Sequence, residues 1–233
     1  MIEGIETKIE RTKRRKTIGF EIQPGNIVRI LVPVSIDDSY VEKILEKKAV
    51  WIQQKVDEAN KILITQRKRE FVAGESFPLL GKEYRLKVSK GINAPAIIQG
   101  NSLIVSIPKR IETEDIEVVI KSQLKAFYKA QALIKFEEMI NRFSMNLGVR
   151  PAAFDIRDYK NSWGVCTSKG EVFINWCLVM APISVINYVI VHELCHLVYP
   201  NHSKSFWNLV ASQINDIEES KRWLKYNQLS LGF

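Results

Sequence analysis

The sequence predicts an α+β protein in two parts, an N-terminal region of small β-sheet layers with long helices over residues 1–110 and a C-terminal helix-plus-hairpin domain over residues 111–233. Three observations carry this. Short runs rich in β-branched residues, punctuated by Pro, Gly and Asn, recur through the first part. Two stretches, near 38–63 and 113–147, repeat apolar residues at helical spacing. A third apolar segment, Val189 to Tyr199, holds two histidines four residues apart and follows a strand–turn–strand pattern.

Taken in order, Lys16–Ile22 and Ile27–Val32 are strand-like around Pro24-Gly25-Asn26, and residues 5–33 read as a meander. Val41, Ile44, Leu45, Ile52, Val56, Ala59, Ile62 and Leu63 then mark a helix, with Ser35 and Asp38 as its capping pair. Phe77–Val88 and Ala96–Ile107 return to strands, turning at Gly81-Lys82 and Gly100-Asn101. The second helix starts at Thr113 as N-cap and stops at Gly148; Ile116, Val119, Ile120, Leu124, Phe127, Phe136, Met139, Ile140, Phe143 and Leu147 form its core stripe. Ala153–Ile156, Gly164–Thr167 and Glu171–Trp176 are strands, the last two joined through Ser168-Lys169-Gly170. Pro182 opens the next helix, and after His202 Ser203 caps another carrying Phe206, Trp207, Leu209, Val210 and Ile214.

Composition excludes several classes. At 46% hydrophobic and 26% charged residues the chain is ordinary globular material. No apolar run reaches the roughly 18 residues of a membrane helix, and the opening Met1-Ile2-Glu3-Gly4-Ile5-Glu6 lacks the basic-then-apolar pattern of a secretory signal, so the expected location is cytoplasmic. Three cysteines, an odd number, are expected as reduced thiols. The net charge of +8 is concentrated before Gly148, with its densest run at Arg11-Thr12-Lys13-Arg14-Arg15-Lys16. That cluster is the one candidate for weak contact with nucleic acid or another polyanion.

The chemistry lies further on. All three histidines fall between His192 and His202. On a helix His192 and His196 share a face one turn apart, and Glu193 sits beside the point they address. Two imidazole ligands with an adjacent carboxylate are what a hydrolytic zinc site needs, the carboxylate taking a proton as general base. His202 is the expected third ligand to one zinc ion, leaving a fourth position open; Glu218 or Glu219 is the alternative. The spacing from His196 to His202 is that of the metzincins, but Tyr199 replaces their glycine, so Pro200-Asn201 is expected to make the turn, Asn tolerating left-handed backbone. No Met-turn can follow, because Met1, Met139, Met145 and Met180 all precede the site. Cys195 reads as a small buried hydrophobe. Tyr159, Tyr188 and Tyr199 are candidate oxyanion donors.

Trp163-Gly164-Val165-Cys166-Thr167-Ser168-Lys169-Gly170, Asn175-Trp176, Met180-Ala181-Pro182, His192 to Leu197 and Asn201 to Trp207 together resemble the YgjP-like metallopeptidase family of predicted metal-dependent hydrolases, relatives of the SprT-like zinc proteases. The resemblance implies a zincin-like helix-plus-hairpin catalytic domain, His192, His196 and His202 as metal ligands, Glu193 as catalytic base, and a peptide or protein as substrate. Two positions depart from the family pattern: Ser162 stands where an Arg is usual, and Val165 where a Ser is usual. The competing reading is a nucleic-acid-associated protein with a basic N-terminal surface and a structural or inactive zinc site. A structural site would close all four positions with protein ligands, which separates the two.

Overall fold

The computed structural model describes residues 4–13, 16–23, 26–65, 69–92, 94–227 and 231, with the side chains of residues 23, 58, 59 and 61–65 outside that description. The chain divides by its contacts into two units, Met1–Arg67 and Lys68–Phe233.

In the first unit, strands β1 (Glu6–Thr12), β2 (Gly19–Gln23) and β3 (Ile27–Pro33) precede helix α1 (Asp38–Thr65). The meander expected over residues 5–33 is corrected here: the strand order is β1-β3-β2, with β1 parallel and β2 antiparallel to β3. The most apolar strand takes the centre, where both of its edges are paired, and the charged β1 becomes an edge. Val28, Ile30 and Val32 alternate inward at 0% exposure and pack with Val41, Ile52 and Val56 of α1. Ala59, Ile62 and Leu63 have side chains outside the described residues, as do Pro24-Gly25 of the expected turn.

The cap of α1 is also corrected. Asp37, not Ser35 with Asp38, accepts the Tyr40 N–H at 2.8 Å and the Ser39 hydroxyl at 3.0 Å, and those bonds hold its carboxyl below the usual range. Much of the local charge is internally matched. Arg11 donates to the Ile36 carbonyl and pairs with Asp38, Lys8 pairs with Glu6 at 3.1 Å, and Arg29 bridges Glu10 and Glu21. Of the basic run, Lys13 and Lys16 are exposed, and Arg14 and Arg15 lie outside the described residues.

The second unit begins with β4 (Ser76–Leu79), β5 (Lys82–Gly91), β6 (Ile97–Gln99) and β7 (Ser102–Pro108), ordered β4-β5-β7-β6 with β5 and β7 parallel. The first hairpin turns at Leu80-Gly81, with φ of 52° and 76°, one residue earlier than expected. Helix α2 (Thr113–Leu147) covers this sheet with Ile120, Leu124, Tyr128, Ala132, Phe136, Ile140 and Phe143. Tyr128 and Ala132 complete the stripe, the tyrosine because its hydroxyl donates to the Pro78 carbonyl at 2.9 Å. Gln123 donates to the Ser106 carbonyl at 2.6 Å. A domain boundary at residue 110 would therefore separate a helix from the sheet that buries its apolar face, and by contacts it lies inside the second unit. Glu112, not Thr113, occupies the N-cap position, while Gly148 ends the helix as expected, left-handed at φ 64°.

Next come β8 (Ala153–Arg157), β9 (Gly164–Cys166) and β10 (Glu171–Asn175), ordered β8-β10-β9 so that the three-residue β9 is an edge. A 3-10 turn (Trp176–Met180) leads to α3 (Ile183–Cys195), α4 (Lys204–Ala211) and α5 (Ile217–Asn227). With three sheets and five α-helices among the described residues, the α+β class stands. Helix α3 is apolar nearly all round and buried accordingly, packed by α2, α4, α5, β9 and β10. No helix of the described residues is long and apolar enough to cross a membrane.

Candidate metal centre

His192 lies in the last turn of α3, and His196 caps it. Although regular helix ends at Cys195, His196 keeps helical backbone (φ −68°, ψ −17°), so the one-turn relation survives and the two rings sit 5.0 Å apart. The chain then leaves by a tight turn in which Val198 and Tyr199 both donate to the Cys195 carbonyl, at 3.1 and 2.9 Å. The left-handed turn expected at Pro200-Asn201 is not used; Asn201 has no positive φ, and successive helical-type bonds after Cys195 reverse the chain instead. His202 is thereby returned to the other two, its Nε2 3.0 Å from that of His192.

Among the described residues, one group of three metal-capable side chains converges, His192, His196 and His202, with ligand atoms all within 4.8 Å of one another. Two nitrogens on one tetrahedral ion at zinc's bond length would stand about 3.3 Å apart, so this donor set fits a single ion. Protonation fits too. Burial, then the neighbouring His196 and His202, push His192 down to about 4, and burial lowers His196, which favours the neutral rings a metal requires. His196 Nδ1 lies 3.1 Å from the Tyr199 carbonyl; donating there leaves the Nε2 lone pair free. Glu218 and Glu219 stand in the first turn of α5, outside this group, and Glu218 accepts from Lys221 at 2.8 Å.

Glu193 is buried at 7% exposure, and burial pushes its carboxyl up to about 7, against the opposing pull of the Cys166 N–H. It is packed onto β9. Asn175 N–H reaches the Trp163 carbonyl and Thr167 N–H the Glu171 carbonyl, each at 2.8 Å, which turns the backbone groups of Gly164 and Cys166 away from β10. A Cβ at Gly164 would stand 2.6 Å from Glu193 Cγ and 2.9 Å from its Oε1. The glycine is required by this close approach, not by its φ. Replacing Gly164 by Ala is expected to destabilise the metal-free protein by about 1–3 kcal/mol in denaturant unfolding, with most of that cost absent in a Glu193→Ala background. Equal costs in both backgrounds would show that the overlap is relieved elsewhere.

Other residues build the site without having been singled out for it. Phe206, 0% exposed, faces the His196 ring at 4.6 Å and stands edge-on to His192 and His202 at 5.0 and 4.8 Å. Trp207 stacks on His202 at 5.6 Å, and the Lys221 ammonium caps the indole at 4.1 Å. Ser203 does cap α4, accepting the Phe206 N–H at 3.3 Å, and so sets the phase of both aromatics. Asn175, 4% exposed, donates to the Tyr159 and Ser162 carbonyls at 2.8 and 3.1 Å and accepts the Cys177 N–H, clamping the loop before β9. Cys195 is fully buried with its thiol pushed up to about 11, a small hydrophobe, and all three cysteines are free.

Ser162, at one departure from the family pattern, donates to the Gly164 carbonyl at 2.6 Å and lines the cleft beside Glu193. Val165, the other, alternates to the strand face opposite Gly164 and Cys166 and does not line that cleft. Of the three tyrosines, only Tyr188 lines it with His192 and Glu193; Tyr199 contributes its carbonyl to His196, and Tyr159 lines an adjoining cavity.

A family model described as YgjP-like, metallopeptidase domain, matches residues 16–227. Comparison with curated proteins finds no match. Among solved structures, the metallopeptidase zymogen jannalysin of Methanocaldococcus jannaschii is similar at 21% identity, over 41% of this chain and 97% of that one, with a TM-score of 0.36. The metallopeptidase zymogen abylysin of Pyrococcus abyssi is similar at 24% identity, over 40% of this chain and 95% of that one, with a TM-score of 0.35.

Proposed function

This chain belongs to the YgjP-like metallopeptidase family and is a peptidase, and from that premise we propose that it works with one zinc ion held by His192, His196 and His202, with Glu193 as general base. The observation that carries this is the convergence of the three imidazoles with a buried carboxylate one helix position away. We read α3 with the sheet β8–β10 as a zincin-like catalytic arrangement, and the working location as the cytoplasm.

Zinc bound there supplies a Lewis acid that polarises a carbonyl and makes water acidic near neutral pH. The protein supplies the rest. Glu193, buried one helix position from His192, takes the proton of the attacking water and returns it to the leaving amine. Tyr188, pushed up to about 12 by burial, stays a neutral phenol able to donate, and is the oxyanion donor we favour. The outer edge of β9 offers an extended substrate backbone the Gly164 N–H and the Cys166 carbonyl, the Gly164 carbonyl being held by Ser162 and the Cys166 N–H by Glu193. Burial of Glu193 against this strand holds the base beside the bond that the strand presents.

Metal analysis coupled to a peptide-library digest tests the reading. About one zinc per chain is expected, with cleavage abolished by a chelator and restored by added zinc. Cleavage that persists in chelated, metal-free protein would overturn it.

A further inference from the structure

Beside His192 and Glu193 the second unit holds a cleft of about 320 Å3. Its walls come from three elements. Asn161, Ser162 and Trp163 of the loop before β9 with Gly164 of β9, Tyr188 and Val189 of α3, and Leu224 of α5 line it. Trp163 is half-buried, while Tyr188, Val189 and Leu224 are buried at 7%, 4% and 8% exposure, so these surfaces are set by the core and not by mobile side chains. The polar groups present are largely spent or neutral. Ser162 donates to the Gly164 carbonyl, Tyr188 is an un-ionised phenol, and among the described residues Glu193 is the only carboxylate lining the cleft. No lysine or arginine among the described residues lines it. A charged side chain entering here would lose its hydration among apolar walls, Glu193 being committed to chemistry and the charges felt at Tyr188 and His192, Glu218 and Lys221, being paired with each other at 2.8 Å. An apolar one would exchange water for an indole, a phenol ring and aliphatic carbons.

We infer that this cleft is the specificity subsite, and that it takes a large, uncharged apolar or aromatic side chain flanking the scissile bond. The inference rests on the zinc-peptidase reading of the same site, since the cleft matters to cleavage only if His192 and Glu193 act as proposed. A flanking residue of this kind is also one that folded proteins bury, so the cleft selects extended or unfolded chain.

The test uses the zinc-loaded full chain and four hydroxamates of differing tail, with affinity read by calorimetry so that turnover is not needed: acetohydroxamate, 3-phenylpropanehydroxamate, succinic monohydroxamate and 4-aminobutanehydroxamate. The phenyl tail is expected to bind about 10- to 100-fold more tightly than acetohydroxamate, from burial of one large apolar group, and both charged tails no more tightly than acetohydroxamate. Leu224→Trp, which adds bulk to that wall, should remove the advantage of the phenyl tail over acetohydroxamate, with zinc content and thermal unfolding of the variant reporting that metal and fold are intact. Leu224→Ala provides the opposite change, leaving room for the phenyl tail, should the tryptophan disturb α5. Equal affinity for all four tails, or preference for a charged one, with metal bound would overturn the subsite while leaving the zinc reading standing. Failure of every hydroxamate to bind zinc-loaded protein would overturn both.

Discussion

Glu193→Gln is expected to leave zinc content and fold intact and to lower peptide cleavage by more than ~10²-fold, the usual scale of a general base. Glutamine keeps the size of the side chain but cannot accept the proton. Gly164 leaves just enough room for this side chain, which makes the near-isosteric change the informative one. The same substitution has a second readout in the metal-free protein. With an ordinary value of 4.5 and a folded value of about 7, the carboxyl is neutral in both states below pH 4.5. Between those values the unfolded chain ionises while the folded chain keeps its proton, so stability falls as pH rises, by roughly 3 kcal/mol once pH exceeds 7. His192, lowered to about 4, acts in the opposite sense, costing stability as pH falls below its ordinary 6.5, but it is common to both proteins and cancels in their difference. The stability of Glu193→Gln relative to the parent should therefore improve from pH 4.5 to pH 8. A difference independent of pH would mean that burial does not hold the proton on Glu193, and equal cleavage by both proteins would refute the assigned base.

His202→Ala is expected to weaken zinc binding by more than ~10²-fold, since losing a ligand costs more than losing a partner behind a ligand, which itself costs 10–100-fold. The metal-free fold should hardly notice, because His202 is exposed and lies between α3 and α4, outside both helices. Competition against a chelator of known affinity gives the number, and thermal unfolding without metal gives the control. Glu218→Ala should bind zinc like the parent, its carboxylate being held by Lys221. Undiminished affinity in His202→Ala, with a loss in Glu218→Ala or Glu219→Ala, would transfer the third position to α5.

What could be read without coordinates was whatever the chain encodes at short range. His192 and His196 share a face because four residues make one turn, whatever the rest of the protein does. Ser203 caps α4 because its hydroxyl finds an N–H three residues on. Gly148 ends α2 because left-handed backbone costs it nothing. The α+β class followed from the two side-chain periods in the same way. Where competing residues stood within a position or two of each other, as with Ser35, Asp37 and Asp38 before α1, local pattern was too coarse to choose.

Tertiary structure decided everything that depends on which surfaces meet. The order β1-β3-β2, and the union of β4–β7 with α2 in one unit, follow from which apolar faces must be covered, and a period does not name its partner. Gly164 reads in sequence only as the start of a strand and becomes the clearance for Glu193 only when β9 is laid on α3. Phe206 and Trp207 read as core, and become the walls of the histidine cluster only because the turn after Cys195 brings His202 back. The elevated proton affinity of Glu193 belongs wholly to this level, since desolvation is the sum of atoms contributed by distant parts of the chain, whereas the i, i+4 placement of the imidazoles is a property of the helix alone.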